Sequence, residues 1–299
     1  MMLDKLWLLI LVLAGAAAGL ALFANTREKR RCQARQLQGL RTARRIKQML
    51  VDLQMHRGMV NAYLSGDKAF HSRMLAKQQQ LDSDVAALDA MFVDGFASGQ
   101  RWTDIKNEWQ SLRQGVTTMT QEGSFHRHSQ LIRAVLYFMG DIAERSRIAA
   151  GCPAGTTLVS ALWSHLPSTA EGLGQARGLG AGVAARGSCS SVTRVKLRFL
   201  QERIAETMAR VDRELAGKEI TGTLGSAGIQ SWEATHQAVT DFLALLEKEL
   251  INNATPSIAT DHYFQESTRA LEAVFGVLDH ASEALEKLIH SGGMRPSAA

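Results

Sequence analysis

The sequence predicts an all-α protein, and three observations carry that prediction. Apolar residues recur every three to four positions from about residue 36 to residue 290, which is the spacing of one face of a helix. Only 4 of the 299 residues are proline, and the first of them is Pro153. No stretch combines alternating β-branched residues with hairpin turns, so a sheet is not expected.

The first element predicted is a membrane-spanning helix over residues 6–24, LWLLILVLAGAAAGLALFA, which is apolar throughout and long enough to cross a bilayer. A cleaved signal peptide is the main alternative, because Ala24 and the alanines at 16–18 resemble a cleavage site. Signal peptides carry their cations before the apolar run, whereas this chain carries them after it, in a basic segment at 27–35. Since such cations stay in the cytoplasm, we expect residues 1–26 to form a single-pass anchor in the bacterial inner membrane, with the body in the cytoplasm.

The body is predicted to form two consecutive antiparallel four-helix bundles within residues 36–290. The strongest break in the chain, GCPAGTT at 151–157, divides it into halves of about 36–150 and 158–290. Each half contains about four helical patterns joined by short loops, which is typical of bundle packing. The last segment, 291–299, has no such pattern and is expected to be a disordered tail.

The helices of the body are predicted from their apolar faces. The first face follows a three-to-four-residue rhythm that ends at Arg57, which therefore lies on or beside the apolar side of its helix. Ser168 and Glu171, which follow Pro167, form a capping box that predicts a helix start. The other helical patterns lie near 68–94, 102–121, 125–150, 168–186, 190–217, 228–251 and 260–290.

Composition and motifs exclude several classes of function. The net charge is +5, but much of the excess lies in residues 27–47, where it serves topology and attraction to anionic lipid, so nucleic-acid binding is not expected. The glycine-rich segment 172–187 lacks the preceding strand of a dinucleotide-binding turn. No Gly-x-Ser-x-Gly elbow, Walker loop or His-Glu-x-x-His motif occurs, so we expect neither an enzyme nor a cofactor.

The histidines and cysteines do not predict a metal site. His126 and His128 are separated by one residue at a helix start, which is more typical of a surface pair than of two metal ligands. The cysteines, Cys32, Cys152 and Cys189, are odd in number and lack metal-type spacing, which favours reduced thiols over disulfide bonds.

An Arg-Gly pair occurs twice inside a helical pattern. When LQMHRGMVNAYLSGD is aligned with LGQARGLGAGVAARG, Arg57 lies over Arg177 and Gly58 over Gly178. A glycine inside a helix costs about 1 kcal/mol relative to alanine. We therefore expect each glycine to allow the close approach of a neighbouring helix or of a ligand.

Two interpretations of these arginines stay open on sequence alone. In the first, each arginine forms a structural ion pair with a nearby acid such as Glu171, Asp52 or Glu144, because an unpaired buried charge is costly. In the second, the two guanidinium groups hold a small planar oxyanion between their helices.

These segments, together with YFQESTRALEAV further along the chain, resemble the nitrate- and nitrite-sensing (NIT) domain family of bacteria. In that family the domain consists of two four-helix bundles, and arginines that project towards their interface bind nitrate or nitrite. The resemblance covers most of 36–290 and implies that Arg57 and Arg177 bind the anion. His56 occupies the place of a further basic residue, and His236 is a candidate for a remaining ligand in a later helix.

The resemblance, together with the predicted anchor, indicates a membrane-anchored sensor that binds a small oxyanion, and we expect it to signal by helix displacement. Family members usually carry an output module, and none is visible after residue 290, so we expect a separate signalling protein as partner. The other expected partners are nitrate or nitrite, the membrane, and a second copy in a homodimer. The alternative is a helical scaffold or adaptor at the membrane, whose arginines form internal ion pairs and bind no ligand.

Overall fold

The computed structural model describes residues 2–92, 99–148, 153–253 and 255–291, and these residues form helices and no strand. The predicted all-α class is confirmed. Cys152 and the predicted tail beyond Ser291 lie outside the described residues. The helices are α1 (Met2–Leu64), α2 (Phe70–Met91), α3 (Gln100–Gly115), α4 (Gln121–Arg145), α5 (Pro153–Ser160), α6 (Leu166–Arg186), α7 (Ser191–Leu215), α8 (Lys218–Leu246) and α9 (Thr260–His290). Two π-helical segments, Ala161–His165 and Glu247–Ile251, follow α5 and α8.

Packing between helices produces a helical bundle. In the first half, α1 packs against α2 and α4, and α3 packs against α4. In the second half, α6 packs against α7 and α9, and α8 packs against α9. Because α1 also packs against α6 and α9, one continuous apolar core runs through both halves. The division of this core into two four-helix bundles stays a prediction.

Local sequence explains where several helices begin and end. Thr120 and Ser190 are extended at the starts of α4 and α7, and their hydroxyls accept hydrogen bonds from backbone N–H groups at 3.1 Å. α6 ends at Gly187, whose φ of 63° lies in the left-handed region that glycine adopts without strain.

The helix start predicted at Ser168 is wrong, because the chain is already helical from Pro153. α5 continues through the π-helical segment into α6, so that Pro167 lies within a continuous run of helix. A proline ring normally clashes with the carbonyl four residues earlier in an α-helix. The π-helical turn directly before Pro167 changes this spacing and lets the helix continue.

The structure does not support the membrane-spanning helix predicted at residues 6–24. Within the described residues, no helix combines the length and the apolarity that are needed to cross a membrane. The side chains of residues 6–12 of this segment lie outside the part of the chain that the structure describes. The predicted single-pass location in the bacterial inner membrane is corrected accordingly.

Candidate anion-binding site

α1 and α6 lie side by side and run in the same direction. Gln54 of α1 donates a hydrogen bond to Glu171 of α6 at 3.0 Å, and further along Asn61 donates to the carbonyl oxygen of Gly178. Residue numbers therefore rise together along both helices. The two Arg-Gly pairs lie along this contact.

Each arginine packs against a glycine of the opposite helix. A Cβ atom on Gly58 would lie 2.8 Å from the ring of Phe264 and 3.5 Å from Nε of Arg177. A Cβ atom on Gly174 would lie 2.8 Å from Nη2 of Arg57. Real Cβ atoms do not tolerate contacts this short with packed groups. Gly174 thus makes room for the guanidinium group of Arg57, and Gly58 makes room for the ring of Phe264. A Cβ atom on Gly178 would lie 2.9 Å from the ring of Phe125, so the close approach of neighbouring helices expected at Gly58 and Gly178 is present.

Arg57 forms an ion pair with Glu171, the first of the acids named by the ion-pair interpretation. Its Nη1 donates to Oε1 of Glu171 at 2.6 Å and its Nη2 donates to Oε2 at 3.1 Å, while the arginine side chain is fully buried. Asp52 pairs instead with Lys77 at 2.7 Å, and Glu144 is exposed. The charge of Arg57 is therefore balanced by a bidentate carboxylate.

Arg177 has no such partner. Nη1 donates to Oγ1 of Thr268 at 3.0 Å, but Nε and Nη2 are buried without a hydrogen bond. The guanidinium carbon lies 5.0 Å from the ring centre of Phe264. Burial, followed by the positive charge of Arg57, lowers the pKa of Arg177 to about 9. Among the described residues no carboxylate forms a salt bridge with it, and Glu272 and Glu171 attract its charge only without direct contact.

Polar side chains that the sequence did not single out complete the site. Ser129 of α4 accepts a hydrogen bond from Nη1 of Arg57 at 3.0 Å, and Gln175 donates to Glu171 at 2.7 Å. Gln54 precedes Arg57 by three residues, so helical spacing alone could have placed both on one face. Ser129 and Thr268 belong to other helices, and nothing in their local sequence marks them.

His56, the third predicted ligand, does not lie with the arginines. Its ring contacts side chains of α2, α3 and α4, with Nδ1 2.9 Å from Nε2 of His128, Nε2 3.3 Å from Gln78, and the ring edge-on to Trp109. Burial, and then the neighbouring His128, lower the pKa of His56 well below its usual value. A neutral imidazole inside this cluster is not placed to bind an anion at Arg57.

The remaining histidine interpretations change as well. His128 is fully buried, so it does not form a surface pair with His126. Nε2 of His236 lies 3.6 Å from Asp212, on an exposed side chain of α8. Over the described residues, no group of three or more His, Cys, Asp and Glu side chains is arranged to hold a metal ion.

A groove with a volume of about 690 Å³ opens beside the site. Its walls include Ser129 and Arg133 of α4, Gln175 of α6 and Arg203 of α7, and Glu171 also lines it. The side chain of Glu171 is 13% exposed, whereas that of Arg57 is fully buried. The carboxylate therefore separates Arg57 from the groove.

Comparisons with known proteins relate the chain to a known family and a known fold. The family model for nitrate and nitrite sensing matches residues 48–286. Among solved structures, that of the NasR transcription antiterminator is similar, with a TM-score of 0.71 over 91% of this chain and 74% of that chain, at 20% sequence identity. At this identity the likeness shows a shared fold. A comparison with curated proteins gave no match. Because the family model covers most of the chain, the protein belongs to the nitrate and nitrite sensing (NIT) family, as its sequence motifs predicted.

Proposed function

We propose that this protein is a sensor that binds nitrate or nitrite between α1 and α6, and that Arg57 and Arg177 are its anion ligands. The observation that carries the proposal is the state of Arg177. It is a fully buried cation with two donor nitrogens that make no hydrogen bond and with no salt bridge to a carboxylate among the described residues. Such a group costs several kcal/mol unless a ligand satisfies it.

A small planar oxyanion suits the groups left unsatisfied. Nε of Arg57, like Nε and Nη2 of Arg177, is buried without a hydrogen bond. Nitrate offers three acceptor oxygens in one plane and nitrite offers two. Guanidinium groups bind planar oxyanions through paired N–H donors, and charge-assisted hydrogen bonds contribute about 1.5–3 kcal/mol each. Binding, without catalysis, is the role that these groups support.

The proposed signal is a change in how α1 and α6 pack. Without an anion, the positive charges of Arg57 and Arg177 repel each other across the helix pair. An anion between them favours a closer arrangement, so binding shifts the population towards it. We propose that α1 and α6 belong to separate four-helix bundles, and that their displacement is read by a separate protein or by a second copy of the chain.

A helical scaffold without a ligand is the second candidate, and the ion pair between Arg57 and Glu171 favours it. In that case both arginines are structural and no anion changes the stability of the protein. The two candidates differ at Arg177, because the scaffold interpretation requires each buried arginine to form an ion pair and Arg177 forms none among the described residues.

Calorimetric titration of the full chain tests the proposal. Nitrate or nitrite should bind with measurable heat, and chloride should bind far more weakly. Arg177→Ala should abolish binding, and Arg57→Lys should weaken it by about tenfold or more, because lysine keeps the charge but loses the paired donors.

Arg186→Ala is the matched control, since Arg186 is exposed on the same helix and bonds to Ser65 and Gln121. It should bind as the unmodified protein does. The scaffold is supported instead if no anion binds the unmodified protein or raises its melting temperature.

A further inference from the structure

We propose that the carboxylate of Glu171 competes with the anion for Arg57. It occupies Nη1 and Nη2 of Arg57 in the anion-free protein, so nitrate or nitrite that takes these donors together with the unbonded Nε must displace it into the adjoining groove. This inference rests on the proposed function and assigns the residue that sets the concentration at which the sensor responds.

The surroundings of Glu171 already form an oxyanion site. Its two oxygens accept four hydrogen bonds, from Nη1 and Nη2 of Arg57 at 2.6 and 3.1 Å, from Gln54 at 3.0 Å and from Gln175 at 2.7 Å. A carboxylate is planar and presents two oxygens on one edge, as nitrate and nitrite do. An anion that replaces it therefore finds the same donors in place.

The groove beside Glu171 can accommodate the displaced carboxylate. Glu171 lines the groove, and the exposed side chains of Arg133 and Arg203 line it too. A rotation of the glutamate side chain would expose its charge to water and bring it nearer to these cations. The displaced group is then solvated, so displacement does not leave a buried carboxylate without a partner.

An internal competitor has a calculable effect on sensitivity. The apparent affinity for the anion is the intrinsic affinity multiplied by the fraction of molecules in which Arg57 is free. The competitor also favours selectivity, because a ligand must match a bidentate carboxylate at Arg57 in order to replace it. Spherical halides cannot do so with the same geometry.

Glu171→Gln tests this inference in calorimetric titrations of the full chain with nitrate. The amide keeps the shape of the side chain but loses its charge, so nitrate should bind about 10- to 100-fold more tightly. Glu286→Gln is the matched control, because Glu286 pairs with Arg44 of the same helix α1 at 2.7 Å. That variant should bind nitrate as the unmodified protein does.

The outcomes separate the inference from the proposed function. If the unmodified protein binds nitrate and a folded Glu171→Gln binds no more tightly, the competitor is overturned and the sensor stands. If neither binds any oxyanion, the proposed function fails, and the inference fails with it.

Glu171→Asp covers the case in which the glutamine variant does not fold. Its carboxylate is one methylene shorter and holds Arg57 less well, so nitrate should again bind more tightly than in the unmodified protein. Equal or weaker binding would contradict the inference. Failure of both variants to fold, with nitrate present, would show that Glu171 is a structural partner that an anion cannot displace.

Discussion

Arg57 and Arg177 occupy equivalent places in two related segments, yet their electrostatic surroundings differ. Arg57 makes a bidentate contact with Glu171, whereas Arg177 makes one neutral hydrogen bond and leaves two N–H groups unbonded. Breaking a buried ion pair leaves a charge without a partner, but removing a lone buried charge takes away a desolvation cost. The two arginines should therefore contribute to stability with opposite signs.

Replacement of each arginine by methionine, which has a similar apolar stem, measures these signs. Without nitrate, Arg177→Met should raise the free energy of unfolding by about 1–4 kcal/mol, and Arg57→Met should lower it by about 3–5 kcal/mol. Urea denaturation followed by circular dichroism gives both values. A loss of stability in both variants would mean that Arg177 is held by a structural partner, against the sensor proposal.

The buried histidines at α1 and α4 form a directed chain of hydrogen bonds. Nδ1 of His128 lies 2.7 Å from the carbonyl oxygen of Ser124 and must donate to it. Nε2 of His128 then accepts from Nδ1 of His56, and Nε2 of His56 accepts from Gln78. Each imidazole carries one proton, and a second proton on either ring would have no acceptor in the chain. Both rings are therefore neutral in the folded protein.

Acid should destabilise the protein through these histidines. Burial lowers the pKa of His128 to about 3, and that of His56 also lies well below its usual value. Below about pH 6.5 the unfolded chain takes up protons that the folded protein excludes, so stability falls with pH. Between pH 7.5 and 5.5 each histidine should account for a loss of about 1.4 kcal/mol.

A comparison with His128→Gln isolates this effect. Urea denaturation at the two pH values should show a smaller loss in the variant, by about 1.4 kcal/mol. Asp84, whose pKa is raised to about 6 by burial and by Asp52, acts in the opposite direction but in both proteins alike. Equal losses in the two proteins would show that His128 is protonated in the folded state.

At the scale of helices, the position of α6 depends on glycines, because a side chain in their place would collide with packed neighbours. A Cβ atom on Gly180 would lie 2.2 Å from both Cζ and the hydroxyl oxygen of Tyr263, and the tyrosine hydroxyl donates to the carbonyl oxygen of Ala176 at 2.9 Å. The ring is fully buried, so it cannot move away without disturbing its neighbours. The contact between α6 and α9 therefore depends on a bare backbone at this position.

Gly180→Ala should lower the free energy of unfolding by about 1–3 kcal/mol, because the ring of Tyr263 must shift and its hydrogen bond to α6 is strained. Gly222→Ala in α8 is the control, since a Cβ atom there meets nothing within 4 Å. That change should stabilise the protein by up to about 1 kcal/mol. Melting curves on both variants measure these changes. A Gly180→Ala variant that is as stable as the unmodified protein would contradict the tight packing of α6 against Tyr263.

Helical spacing predicts some of the site and misses the rest for a physical reason. Arg57 and His56 are adjacent in sequence, so their side chains point about 100° apart around α1. Arg57 therefore faces α6 while His56 faces the cluster around His128, and alignment of motifs does not separate the two directions. The choice of Glu171 as ion partner depends on the register between α1 and α6, which is a property of packing and not of either segment alone.

For the molecule as a whole, α1 is the element that the two halves share. It packs against α2 and α4 of the first half and against α6 and α9 of the second, within one apolar core. The all-α class and the family followed from periodicity and motifs. The course of the chain through Pro167 did not, because a π-helical turn there depends on how the flanking helices are held.

The length of α1 has a mechanical consequence. Residues 13–31 are exposed on every side, and the first buried residue after them is Gln36. At 1.5 Å per residue, this rod extends about 35 Å from the core. A tilt of about 5° at the core would move its far end by about 3 Å, by the leverage of that length. A tilt of α1 too small to disturb the packed interior would thus be amplified, at a distance, into a motion as large as a hydrogen bond is long.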